Sequence, residues 1–348
     1  MSGASTAIVA KARAMYGRRL TKENYTELLR KQNVSEIVSY LKNQTAYGGV
    51  LSDINENLVH RGQLESVIRR QLYEEYTKLS HFNQKPGHGF MQFIVIKAEI
   101  EQILSCILNV SNDIYTVNFK LPVFFIKQLS FDIYKLFKAQ SFEEILEVLD
   151  HTPYHKILKK YAAGFSQKDY TQIETDLHTY YFEQVFALMD RFVTHSARTE
   201  LERLFLTMAE IENIVKITRL KAYFHYSAEQ IKPYLLPFHR KLTQKDYDQM
   251  LNAQDAQEIF DFLKQSRYKK YFMKLEPAYY DKYIKQSRYR RSAQLMRFSR
   301  NYQSVFTAYM FLKEIEMKNI ISIIEGIRYG AEPATIEKML VFDAQFQN

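Results

Sequence analysis

Leu20-Thr-Lys-Glu-Asn-Tyr25, then Asn33-Val-Ser-Glu36-Ile37-Val38-Ser-Tyr-Leu41, then Thr45-Ala-Tyr47 make up a stretch that the chain repeats twice more. The second copy runs from Leu129 and Tyr134 through Ser141-Phe-Glu-Glu144-Ile145-Leu146-Glu-Val-Leu149 to Thr152-Pro-Tyr154. The third runs from Leu242 and Tyr247 through Asp255-Ala-Gln-Glu258-Ile259-Phe260-Asp-Phe-Leu263 to Ser266-Arg-Tyr268. The tyrosines Tyr25, Tyr134 and Tyr247 recur at steps of 109 and 113 residues. Solenoid repeats run about 20–50 residues, so a period this long describes a small helical subdomain. Asn33, Ser141 and Asp255 are good N-caps, and Glu36, Glu144 and Glu258 follow three positions later, the capping-box spacing. Ile37 and Leu41, with Ile145/Leu149 and Ile259/Leu263, sit four apart on one helix face and predict its buried side.

A second signature repeats in phase with the first. Glu99…Gln102-Ile103, Glu210…Asn213-Ile214 and Glu316…Asn319-Ile320 lie 111 and 106 residues apart. Apolar stripes such as Ile96, Ile100, Ile103, Ile107 and Met317, Ile320, Ile324, Ile327 surround it at alternating steps of three and four. Each copy therefore reads as a front part of two short helices (22–31 and 35–43 in the first) and a back part of two long ones. The first long helices are predicted at 63–80, 170–198 and 278–298. Breaks are expected at 81–89, 109–118 and 226–242. The resulting fold is all-α, with three homologous subdomains at 1–128, 129–241 and 242–348.

Composition agrees with this class. The 348 residues include only 10 Gly and 7 Pro, well below the usual ~7% and ~5%. Few helix breakers and no Gly/Ser linker predict subdomains packed rigidly together. Cys106 is the only cysteine, which excludes an internal disulfide and a cysteine-based zinc site. No run of about 18 apolar residues is present, so the chain is expected to be soluble or peripheral to a membrane.

The sequence offers no catalytic, cofactor-binding or metal-binding candidate. Gly87-His-Gly89 lacks the third glycine and the strand of a dinucleotide loop. His151 and His155 have the spacing of a metal pair, but Pro153 lies between them and no third ligand is evident. Cys106 sits in an apolar stretch without a basic neighbour, as a core thiol would. In Glu210-Ile-Glu212 and Glu314-Ile-Glu316 the carboxylates are two apart and diverge on a helix. Recurrence of Glu99, Glu210 and Glu316 in every copy points to structural seams between helices.

Charge is unevenly spread. The net charge is +9, yet 264–300 holds 12 Lys/Arg against Glu276 and Asp281, and the remainder holds 36 basic and 37 acidic residues. Ser287-Arg-Tyr-Arg-Arg291 and Arg297-Phe-Ser-Arg300 interleave cations with aromatics. Such a region can dock an acidic protein, bind RNA, approach anionic lipid, or form a solvated helix face.

The order and phase of these motifs resemble one family along the whole chain: the C subunits of prokaryotic V-type (A/V-type) ATPases, whose eukaryotic counterparts are the d subunits. Ile8-Val-Ala-Lys-Ala-Arg13-Ala-Met15 is similar to the family's N-terminal helix. Leu129-Ser-Phe-Asp-Ile-Tyr134 departs from the pattern of the other two copies. The resemblance implies a pseudo-threefold funnel on the cytoplasmic mouth of the membrane proteolipid ring, receiving the central axle, which is made of the D and F subunits. It implies a peripheral, non-catalytic part that passes torque, with no cofactor and no nucleic-acid partner. Arg288, Arg290, Arg291 and Arg297 are then expected to dock the axle or the ring's polar loops. The competing expectation is a stand-alone helical nucleic-acid-binding protein using 264–300.

Overall fold

The computed structural model describes residues 3–56, 59, 61–81, 89–112, 121–166, 169–272 and 280–342. The connecting segments 82–88 and 113–120, and Lys274, Glu276 and Tyr279 of the basic region, lie outside the described residues. Among the described residues every regular element is helical.

The long elements in chain order are α1 (Gly3–Tyr16), α2 (Lys22–Leu29), α3 (Val34–Gln44), α4 (Arg61–Ser80) and α5 (Phe93–Ser111). The middle of the chain adds α6 (Ile133–Leu136), α7 (Phe142–Val148), α8 (Tyr170–Phe192) and α9 (His195–Phe224). The last part adds α10 (Gln244–Asn252), α11 (Ala256–Gln265), α12 (Tyr280–Phe298), α13 (Tyr302–Arg328) and α14 (Pro333–Met339). The helix expected over 170–198 stops at Phe192. Val193 and Thr194 leave helical geometry (ψ 134° and 154°), and a new helix starts at His195. Both residues are β-branched, which lowers the cost of leaving the helix there.

The chain forms two compact units. One comprises Met1–Pro86, Thr199–Leu204 and Leu263–Asn348; the other comprises Gly87–Arg198 and Phe205–Phe262. In the first unit α13 is the central element: 20 of its 27 residues are buried, so it is covered on nearly every side. It packs against α1, α4, α12 and α14. Gly326 permits the last contact, since a Cβ there would meet the Ile336 side chain at 2.5 Å. In the second unit α5 packs on α8, and Phe93 meets Phe205 edge to face at 5.6 Å.

Candidate functional site

The three recurring glutamates are all buried, and each holds the front of the next copy. In the first unit Glu316, on α13, accepts the Leu20 N–H at 2.7 Å and the Tyr47 hydroxyl at 2.8 Å. Both partners belong to the first copy. Leu20 N–H immediately precedes Thr21, the N-cap of α2. Lys313 Nζ pairs with Glu316 at 2.7 Å and Glu75 at 3.6 Å, and lies 4.3 Å from the centre of the Tyr47 ring. Tyr309 donates to Glu75 at 2.6 Å. Burial alone would lower the pKa of Lys313, but Glu316 and Glu75 outweigh it and raise the pKa. Burial, reinforced by Glu316, pushes the Tyr47 hydroxyl far above its ordinary value, so it stays protonated and donates to Glu316.

In the second unit Glu210, on α9, accepts three successive N–H groups of the third copy: Arg240 at 2.6 Å, Lys241 at 2.7 Å and Leu242 at 2.9 Å. All three reach one oxygen, Oε1, just ahead of Thr243, the N-cap of α10. Glu99, on α5, accepts the Ser130 N–H and the Tyr154 hydroxyl (2.6 Å), both of the second copy. The bonding order is first to second, second to third, and third back to first.

The amide three residues on from each glutamate adds a second clamp in two copies. Asn213 exchanges two hydrogen bonds with the Leu236 backbone, both 2.8 Å, and reaches Tyr247 Oη at 3.3 Å. Asn319 does the same with the Val341 backbone (2.8 and 3.2 Å) and reaches Tyr25 Oη at 3.2 Å. The first copy carries Gln102 instead, and Tyr134, the counterpart of Tyr25 and Tyr247, is 49% exposed. The cause is local. Thr21 and Thr243 cap their helices four residues before the tyrosine, whereas Asp132 caps α6 two residues before it. The helix register shifts, and Ile133 and Leu136 take the buried positions.

Glu36, Glu144 and Glu258 behave as helix-start residues, with one difference from the expected box. Their backbone N–H groups bond Asn33, Ser141 and Asp255 at 2.9, 3.2 and 2.9 Å. Their carboxylates reach one residue beyond the cap, to the N–H of Gln32, Gln140 and Gln254 at 3.0, 2.8 and 2.7 Å. That glutamine recurs in all three copies and was a further repeat signal.

The basic helix α12 is less of a free surface than its sequence suggests. Arg288 is a correction: it is 6% exposed, pairs with Glu314 at 3.2 Å and lies 5.1 Å from the centre of the Phe311 ring. It is an internal strut between α12 and α13. Arg290 donates to Lys270 O and Arg291 to Gln294 Oε1, both at 2.6 Å, and both are half-buried. Arg297 is exposed at the end of α12.

The family described as ATP synthase (C/AC39) subunit matches residues 8–339, nearly the whole chain. The chain belongs to this family. The C subunits of three A-type ATP synthases are among its relatives. That of Desulfurococcus sp. (strain SY) is 24% identical, with 95% of this chain and 88% of the relative covered. That of Thermococcus gammatolerans is also 24% identical over 95% and 88%, and that of Thermococcus onnurineus 25% over 96% and 89%. Membership makes the chain a rotary-ATPase component of the C/AC39 family.

The structure gives the remaining sequence candidates of this C/AC39 chain the following surroundings. Cys106 is buried and donates to Leu136 O at 3.0 Å; burial pushes its thiol up to about 12. His151 and His155 both lie beside Asp150, at 3.4 and 3.7 Å. Among the described residues no group of three or more His, Cys, Asp or Glu could hold a metal ion. Glu212 turns away from Glu210 to His178 (2.6 Å), and Glu314 turns away from Glu316 to Arg288 and Lys318.

Burial raises the pKa of Glu99, and the bonds from Tyr154 and Ser130 only partly oppose this. A carboxylate whose folded pKa lies above the unfolded value of about 4.3 costs stability as pH rises from there through the folded pKa. Glu99→Gln removes that cost while keeping an oxygen for the Ser130 N–H. The difference in unfolding midpoint between E99Q and the parent is expected to grow in favour of E99Q from pH 4 to pH 7. A difference constant with pH, in paired thermal melts, would contradict the assignment.

Proposed function

We propose that this chain is the non-catalytic adaptor of a rotary ATPase's central rotor, joining the axle, built from the D and F subunits, to the membrane proteolipid ring. The family match over residues 8–339 carries the proposal. The glutamate seams support it. A part that passes torque must lose little work to internal deformation. Bonds that run from each copy to the next, and from the third to the first, leave no copy fastened on one side only. Three subdomains, 1–128, 129–241 and 242–348, arranged as a pseudo-threefold funnel would satisfy that bonding order.

Among the described residues no helix is long and apolar enough to cross a membrane. We place the chain at the cytoplasmic face, held there by protein contacts. Arg290, Arg291 and Arg297 face the axle or the ring's polar loops, and complementary charge there speeds assembly and fixes orientation more than it adds affinity. The experiment is removal and add-back of this protein in the membrane-reconstituted complex, with ion transport and ATP hydrolysis read side by side.

A further inference from the structure

Phe298 is the most exposed large hydrophobic side chain among the described residues, at 76%. It ends α12, and the turn after it leads into α13. Fraying does not put it there, because the tip is tied down. Arg13 on α1 donates to Met296 O at 3.0 Å and to Ser299 O at 2.7 Å. Ser299 Oγ and Asn301 Nδ2 both donate to Glu200 Oε2, at 2.6 and 3.2 Å. Ser299 N–H also closes on Leu295 O at 2.9 Å. A frame built from three chain segments holds the ring in water, and Arg297 and Arg300 beside it are exposed.

The second copy places an exposed Arg-Phe pair at the corresponding helix end. Arg191-Phe192 ends α8, with Phe192 47% exposed and Arg191 exposed. Phe192 and Phe298 each stand 18 residues before their seam glutamate, Glu210 and Glu316. Neither phenylalanine is needed by the seam. An aromatic fixed in water forgoes the free energy of burial unless a partner covers it. A pre-ordered turn loses little entropy on binding, and aromatic and Arg side chains dominate interface energies.

We propose that the α12–α13 tip, Arg297-Phe298-Ser299-Arg300, is a protein-docking point: Phe298 enters an apolar pocket on a neighbouring protein of the complex whose rim carboxylates pair with Arg297 and Arg300. This rests on the adaptor reading above. Guanidinium–carboxylate pairing is the geometry Arg favours. One aromatic on a short rigid turn buries little area in a bilayer, whereas a shaped pocket covers the whole ring, so a protein is the better occupant than lipid.

Full-length F298A and R297E/R300E, each added to the complex stripped of this protein, test it by binding titration at two salt concentrations. F298A is expected to weaken binding at least about tenfold. R297E/R300E is expected to weaken it at low salt and flatten the salt dependence. Unfolding midpoints of F298A should match the parent, since the ring is in solvent. Unchanged affinity of both variants overturns the docking point alone. Parent chain that binds phosphatidylserine vesicles, with binding lost in F298A, overturns the protein occupant. Parent chain that does not bind the stripped complex overturns the adaptor reading and the docking point with it.

Discussion

Glu316→Ala is expected to destabilise the first unit by about 3–5 kcal/mol, the cost of breaking a buried charge pair by removing one partner. The variant strands several groups at once. Lys313 keeps Glu75, at 3.6 Å, and the Tyr47 ring face, and the Leu20 N–H and the Tyr47 hydroxyl lose their acceptor. Each sits in the interior, where an unpaired donor costs about 1–3 kcal/mol. Glu316→Gln keeps an acceptor and loses the charge, so its loss should be smaller. Denaturant unfolding of both variants gives the values. A loss under about 1 kcal/mol for E316A would mean the buried network is not under the load assigned to it.

Glu210→Ala is expected to cost about 3 kcal/mol, because three backbone donors lose one shared acceptor. Its effect should be local to the front of the third copy. Arg240, Lys241 and Leu242 lead directly into the capped start of α10, so hydrogen exchange should rise across 240–262 more than elsewhere in the second unit. Glu210→Gln retains the single oxygen that all three donors use. Charge-assisted bonds are roughly twice as strong as neutral ones, so the glutamine variant should fall between the parent and the alanine variant. Exchange that rises evenly across the unit would place the role of Glu210 elsewhere.

Much of this was readable in the sequence because the repeat repeats its physics. The N-caps, the apolar pairs four apart and the glutamates at 99, 210 and 316 are local or periodic signals, and they mark helices and buried seams directly. What each seam glutamate grips was not readable. Leu20 and Tyr47 are 296 and 269 residues from Glu316, and the grips on Leu20, Ser130 and 240–242 are to backbone N–H groups, which leave no side-chain signature. Arg288 looked like its neighbours Arg290 and Arg291. Only Glu314 and Phe311 on the packed neighbour α13 make it interior. Tyr134 aligned with Tyr25 and Tyr247, but the position of the cap, not the identity of the tyrosine, decides which face it occupies. The helix break at Val193-Thr194 lacked Gly or Pro and so carried no strong breaker.

The adaptor reading predicts a separation of two activities that an intact rotary ATPase keeps together. In vesicles carrying the complex stripped of this protein, ATP hydrolysis should continue while ATP-driven ion transport falls to the passive leak. Adding back the full chain should restore transport without a matching rise in hydrolysis. Transport that stays coupled at the full ratio without the chain would show that torque crosses by another route, and would contradict the account.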